Sequence, residues 1–242
     1  MYDLAKFRMS EMIECGSALR QIGADAGSME EVANRIVRHL DGLFRDPAEG
    51  KPECSLVRFY KTHAFGELDR ELQDYALNIL KQPTAPESMK CLTLLSTAGE
   101  HPLWNARKNS VGHRAIPLPG ESMIELFPMI SRLIRQFGLE ASSLITPPPT
   151  ALMLEMEQKT YNVFHVENAL GSPYVPAQED FVVPYKVKSV LGFGGMLPDG
   201  NLFAIIIFSK VRIPKETADM FKTLALNVKM AILPFVNARI FA

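Results

Sequence analysis

The sequence predicts an α+β fold built on an antiparallel sheet, and three features of its last third carry that prediction. Val187 to Leu197 and Leu202 to Phe208 are apolar arms joined by Pro198-Asp199-Gly200-Asn201, a turn with Asp-Gly where a tight hairpin needs positive φ. Leu202, Phe203, Ala204, Ile205, Ile206, Ile207 and Phe208 run without alternation, so both faces of that strand must be covered and it belongs inside a sheet. From Ile213-Pro214 onward, Phe221, Leu224, Ala225, Val228, Ala231, Ile232 and Phe235 share one stripe of a helix with proline in its first turn, suited to cover that sheet.

The earlier elements follow from the N-terminus. Ala5, Met9, Met12, Gly16, Leu19 and Gly23 draw a seam along a helix from Leu4 to Gly23, and such a seam needs a partner helix. Ser28 and Glu31 form a capping-box pair ahead of Met29, Val32, Ala33, Ile36, Val37, Leu40 and Phe44, a second helix. The loop Arg45 to Glu53 ends it, and Cys54 to Tyr60 reads as a strand. Leu68 to Leu80 is helical, prolines at 83 and 86 mark a turn, and Cys91 to Thr97 is a second short strand. Between Ala98 and Pro119 periodicity is lost, and Trp104, Asn105, Arg107, Lys108, His113 and Arg114 gather in a polar loop. Met123 to Phe137 has helical spacing that Pro128 must either bend or restart, with Gly138 at its end. Pro147-Pro148-Pro149 is a stiff spacer, and Leu152, Leu154 and Met156 beyond it fit either a strand or a short helix. A strand from Asn162 to Val166, a loop through Gly171 and Pro176, and the segment Phe181 to Tyr185 lead into the hairpin.

Composition narrows the class. Of 242 residues, 47% are hydrophobic and 22% charged, the balance of a chain with a sizeable core. Twenty-six basic against 27 acidic residues leave a net charge of -1, so nothing draws the whole chain to nucleic acid or to an anionic membrane. Cys15, Cys54 and Cys91 lie far apart, without the short spacing of a zinc or redox motif, and suit a reducing compartment. The start, Met1-Tyr2-Asp3-Leu4, has no signal-peptide pattern and the apolar run Leu202 to Phe208 is too short to span a bilayer, so a cytoplasmic location is expected.

In its closing half the chain resembles the GAF domain family. The resemblance rests on Val187-Lys188-Ser189-Val190-Leu191-Gly192-Phe193, then Asp199-Gly200, then Leu202 to Phe208, then Ile213-Pro214 to Leu233; the helix Met29 to Phe44 and the strand Cys54 to Tyr60 stand where the family has its first helix and strand. It implies a GAF-like (profilin-like, PAS-like) antiparallel sheet with the first, second and last helices on one face and a pocket on the other. It also implies a ligand-sensing role of the kind found at the front of bacterial sensor kinases. By the same resemblance the pocket lining would be His165, Tyr174, Phe181, Tyr185, Phe193 and Phe203, closed by Trp104 and His113; plain core packing is the alternative use of these rings. Residues 1–27 are expected to be a dimerisation or linker helix, 28–234 the sensor domain with a helical insertion at about 64–150, and 235–242 a tail or linker to an output domain.

The expected partners are a small-molecule ligand of unknown identity and a second copy of the chain. The seams at Met9, Met12, Leu19 and at Phe221, Val228, Phe235 would form the dimer. No cofactor or metal is required by the sequence. Gly192-Phe193-Gly194-Gly195 lies in a hairpin arm, not between a strand and a helix, and reads as a strand thinned for close approach rather than a phosphate loop. Cys91, His101 and His113 match no ligand spacing, and Ser189, His165 and Asp180 lack a nucleophile elbow. Two rivals remain: an enzyme with its site in the loop 104–114, and a ligand-free dimerisation scaffold. Convergent charges in a shared open cleft would favour the enzyme, and a closed aromatic cavity the sensor.

Overall fold

Strands β1 (Cys54–Ala64), β2 (Lys90–Gly99), β3 (Ala115–Leu118), β4 (Val163–Val166), β5 (Ser189–Met196) and β6 (Leu202–Ser209) form one antiparallel sheet in the order β3-β2-β1-β6-β5-β4. The structure is a computed structural model that describes residues 1–145, 163–238 and 240–241. The fold is α+β. Helices α1 (Met9–Gln21), α2 (Met29–Leu43) and α7 (Lys215–Ile232) cover one face, sharing a core with Phe59, Phe193, Phe203, Ile205 and Ile207 of the sheet. The other face is covered by α4 (Glu121–Glu125), α5 (Pro128–Gln136), α6 (Ala141–Ile145) and the loops after β4, over Leu56, Tyr60, Ile206 and Phe208. Helix α3 (Arg70–Leu80) packs on β3 over a small third cluster around Leu72, Cys91 and Ala115.

The β5–β6 hairpin forms as its residues dictate. Gly200 takes φ +75°, Leu197 N–H donates to Asn201 O (2.8 Å) and Gly200 N–H to Leu197 O (3.0 Å). All eight residues of β6 are buried, as an uninterrupted apolar run between two covered faces requires. At α2 the Ser28 Oγ accepts from Glu31 N–H (3.1 Å), while the Glu31 carboxylate reaches back to Gly27 N–H (2.9 Å).

Four expectations change, and the open choice at Pro128 closes. The α1 seam finds its partner inside the chain: a Cβ on Gly16 would lie 2.8 Å from Asn227 of α7, and Asn227 Oδ1 accepts from Arg20 Nη2 at 2.9 Å. Met12 and Leu19, at 5% and 0% exposure, and Phe221 and Val228, both at 0%, therefore lie in the chain's own core and present no seam to a second copy. The stretch expected as an insertion holds β2 and β3, which extend the sheet beyond β1 and are integral to it. Strand β3 hides in the polar loop because it is only four residues long and contains Pro117, which an edge strand tolerates. Strand β1 runs on to Ala64, since Lys61, Thr62 and His63 are buried polar residues rather than loop. Pro128 restarts the helix: α4 ends at Glu125 and α5 opens with proline in its first turn. The stretch Leu152 to Met156 and the start of the strand at Asn162 lie outside the described residues.

Candidate functional site

Three of the expected pocket residues meet on the face away from the terminal helices. After β2 ends at Gly99, a 3-10 turn from Pro102 to Asn105 presents Trp104; Asn105 fixes it, with Nδ2 donating to Gly99 O (2.9 Å) and His101 O (3.2 Å). Gly99 is needed here, since a Cβ would sit 2.6 Å from Ser55 O and 3.1 Å from the Trp104 ring. A helical turn, Gln178–Val182, delivers Phe181 and the turn after it Tyr185, whose N–H donates to Phe181 O (3.1 Å); Gln178 Nε2 pins the segment by donating to Ala169 O (3.0 Å) and Val175 O (2.5 Å). Ring centroids lie 4.4 Å apart for Trp104–Tyr185, 5.5 Å for Trp104–Phe181 and 5.7 Å for Phe181–Tyr185, and Phe181 meets Phe208 of β6 edge-on at 4.9 Å. Aromatic pairs at such separations each contribute about 0.5–1.5 kcal/mol beyond burial.

Beside this cluster opens a cleft of about 430 Å³, lined by Glu100, His101, Pro102, Tyr185, Lys186 and Lys210 among others. Glu100 and Lys210 are paired across it. The cleft is open and mixed in character, not the closed aromatic cavity of the sensor expectation.

The remaining expected residues are dispersed. Tyr174 lies elsewhere on the same face, under the Arg132 guanidinium at 3.8 Å. His113, at φ +60°, is exposed on the loop ahead of β3, its N–H donating to Tyr75 Oη at 2.8 Å. Phe193 and Phe203 point to the terminal helices instead: Phe193 packs on Phe221 (5.2 Å) and Phe203 on Phe59 (6.1 Å), because strand alternation sends both to that face. His165 alternates with the buried Phe164 and shares the face of its partner Leu191, with Nε2 2.9 Å from Ile213 O just ahead of α7. Ser189 Oγ donates to Val211 O (2.8 Å) and accepts from Ile213 N–H (3.3 Å), so Ser189 and His165 both brace the entry to α7 and form no relay with the exposed Asp180. Gly192 leaves room for a side chain rather than a ligand, its face being filled by Phe164 and Leu133 at 3.1–3.3 Å from a notional Cβ.

The cations of the loop 104–114 diverge. Arg107 turns toward α2 and holds Glu30 through two bonds of 2.6 and 3.1 Å, while Arg114 pairs with Glu71 of α3 at 2.7 Å. That divergence counts against a catalytic centre in this loop. Among the described residues, no three His, Cys, Asp or Glu side chains converge as a metal ion would need. No helix among them is long and apolar enough to cross a membrane.

Sequence reasoning missed Arg58. It stands alone among apolar neighbours in Cys54 to Tyr60, and a lone arginine inside a strand was a readable signal. It also missed the polar residues at the far end of β1, where Lys61 and His63 are 1% and 0% exposed and the Phe241 ring lies 5.6 Å from His63. The His63 nitrogens make no hydrogen bond of good geometry; the Lys61 ammonium and backbone and the Lys90 ammonium are within electrostatic reach.

Burial holds His39, His63 and His165 below the usual 6.5, His63 furthest. A base whose pKa falls on folding binds its proton more readily in the unfolded chain. Stability is therefore full above about pH 6.5 and falls below it, by up to about 1.4 kcal/mol per pH unit for each such histidine. Burial raises Asp41 and Glu53, which act with the opposite sign at the lower end of the range. Urea midpoints are expected to drop from about pH 7 to about pH 5, and His63→Leu to flatten that arm. An unchanged slope in the variant would remove His63 from the account.

The fold and site together define an α+β protein with one sheet face under the terminal helices and the other under short helices and aromatic loops. No protein-family model matches the chain, and no curated protein matches it. Among solved structures it is similar to the Stigmatella aurantiaca phytochrome photosensory core module, wild type, at 10% identity and a TM-score of 0.43, over 95% of this chain and 38% of that one. The chain thus spans well under half of that structure's length.

Proposed function

We propose that the chain is a GAF-type ligand-sensing module in a bacterial signalling protein, working in the cytoplasm, whose ligand sits beside Trp104, Phe181 and Tyr185 and whose output leaves through α1 and α7. The carrying observation is the position of the cleft. Lys210, which lines it, lies between the end of β6 and the start of α7, and Ser189 and His165 fasten the same connection at Val211 and Ile213. A ligand that separates Lys210 from Glu100 acts directly on the strut leading into the last helix, and a ligand shifts an equilibrium only by binding its two arrangements unequally.

The outward side of the α1–α7 pair supplies the dimer surface in this reading. Met9 and Ile13 on α1 are 60% and 61% exposed, and Leu226 and Met230 on α7 are 45% and 46% exposed. Met9 is kept from the expected seams, and Ile13, Leu226 and Met230 replace their buried residues.

Native mass spectrometry of protein purified without added ligand tests both parts. The expected species is a dimer carrying a bound small molecule, with Trp104→Ala losing the molecule while still unfolding cooperatively in urea, at a cost of about 1–3 kcal/mol for the two ring pairs it gives up. The scaffold reading has its own support, since Phe164, Ile206 and Phe208 already fill the sheet face. A dimer with no co-purified molecule, and no thermal shift across a metabolite panel, would decide for the scaffold.

A further inference from the structure

Arg58 occupies the middle of the sheet on the face away from the terminal helices. Strand β1 is internal, and Arg58 is flanked by Thr97 of β2 and Ile206 of β6. Leu56, one step back on the same face, pairs with Gly99, against which Trp104 sits. One strand step of two residues is about 6.6 Å, so Arg58 stands one step along β1 from the residue beside the aromatic cluster, on the same face of the sheet.

Its partners are all neutral. Nη1 donates to Tyr60 Oη at 3.1 Å and to Gly112 O at 3.5 Å, and Nη2 donates to Ser110 Oγ at 3.1 Å. Nε is buried with no partner, and so is Oγ1 of Thr97, which is 0% exposed and directly opposite in the ladder. No carboxylate of the described residues lies within ion-pair distance of Arg58, whereas Arg107 and Arg114, on either side of Ser110 and Gly112 in the chain, have Glu30 and Glu71. A half-buried guanidinium offers five N–H donors in a planar fork that fits a carboxylate, and leaving it on long bonds to neutral oxygens is costly. The loop that supplies those oxygens is lightly held at its tip: Val111 is 88% exposed and Gly112 has open space beside it.

We infer that Arg58 is the anchor for a carboxylate on a small aromatic or apolar ligand, and that Ser110 and Gly112 hold its place until the ligand's oxygens displace them. This inference rests on the sensing reading only in assigning the sheet face to a ligand. It adds the ligand's chemical class: an organic acid whose body packs by Trp104 and whose anionic end reaches Arg58.

The chain has one tryptophan, so its fluorescence reports on this place alone. Phenylacetate, with phenylacetamide as its uncharged counterpart, is the probe for titrating the full chain. Saturable quenching by the acid is expected, with at least about tenfold weaker binding of the amide and of the acid to Arg58→Gln, and an intermediate loss in Arg58→Lys, which keeps the charge and loses the fork. Urea midpoints of both variants near that of the parent separate lost binding from lost folding. Equal binding of acid and amide, undiminished binding to Arg58→Gln, equally strong competition by inorganic phosphate, or no response to the acid at about 10 mM would each overturn the assignment. The two readings fail separately. A molecule that co-purifies and is retained by Arg58→Gln removes the anchor and leaves the sensor, whereas acid binding in a chain that purifies empty leaves the anchor and removes the resident ligand.

Discussion

Gly194→Ala is expected to cost at least about 4 kcal/mol, a large part of the total stability of a domain this size, and so to give protein that is insoluble or unfolds at much lower urea. A Cβ at position 194 would lie 2.1 Å from the carbonyl oxygen of Phe203, 2.8 Å from Ala204 Cα and 2.9 Å from Phe203 C. All three atoms are backbone, so no rotamer relieves the clash; only separation of β5 from β6 does. These strands lie inside the sheet, and parting them breaks the ladder that holds the hairpin. Gly192→Ala on the same strand meets the side chains of Phe164 and Leu133 at 3.1–3.3 Å, which can shift, and should cost about 1–3 kcal/mol. Gly112→Ala meets nothing within 4 Å and should stay within about 0.5 kcal/mol. A Gly194→Ala protein as stable as the Gly112→Ala protein would mean that the two strands do not approach as described.

What could be read beforehand follows from which forces are local. The hairpin, the buried strand β6, the capped α2 and the stripe of α7 are set by turn chemistry, capping and periodicity, and all four stand as expected. Strand parity, by contrast, depends on which face each strand turns to its neighbours. The spacing of Phe193 and Phe203 is the same whether they face a pocket or the helices, and only pairing with Phe221 and Phe59 settles it. The seam of α1 was legible as a seam, but its partner, α7, lies some two hundred residues away, as Arg20 and Asn227 show, and no local pattern names it. The Trp104–Phe181–Tyr185 cluster was legible as three aromatic residues in irregular segments, and its assembly needed the turns fixed by Asn105 and Gln178. Arg58 and Lys61 escaped notice for one reason: a charge within a strand reads as a face turned to solvent until the sheet around it is known to be covered.

Lys61 gives the second large effect. Its side chain is 1% exposed, its ammonium lies 3.6 Å from Asp199 Oδ2, and it donates to Thr62 O at 3.2 Å. Asp199 belongs to the β5–β6 turn, where its Oδ1 accepts from Asn201 N–H at 3.0 Å; Asn201 Oδ1 accepts from Lys90 Nζ of β2 at 2.8 Å and from Thr62 Oγ1 of β1 at 3.1 Å. One turn is thereby pinned to two further strands, and the buried cation lies under the pin. Removing one partner of a buried pair leaves an uncompensated charge, so Asp199→Asn, which keeps the Oδ1 acceptor of the turn but gives up the Oδ2 acceptor of Asn201 Nδ2 (2.7 Å), is expected to cost about 3 kcal/mol or more at neutral pH. Lys61→Met should cost less than about 1 kcal/mol, because methionine fills the same space and Asp199, 21% exposed, remains hydrated. The double variant should then recover most of the Asp199→Asn loss, and simple additivity in that cycle would show that the two charges are not coupled. Raising the pH supplies an independent check. Burial lowers the Lys61 pKa below its usual 10.5, and a neutral amine needs no counter-charge, so the Asp199→Asn deficit should shrink as pH climbs toward about 10. A deficit constant with pH would assign the loss to the turn rather than to the ammonium beneath it.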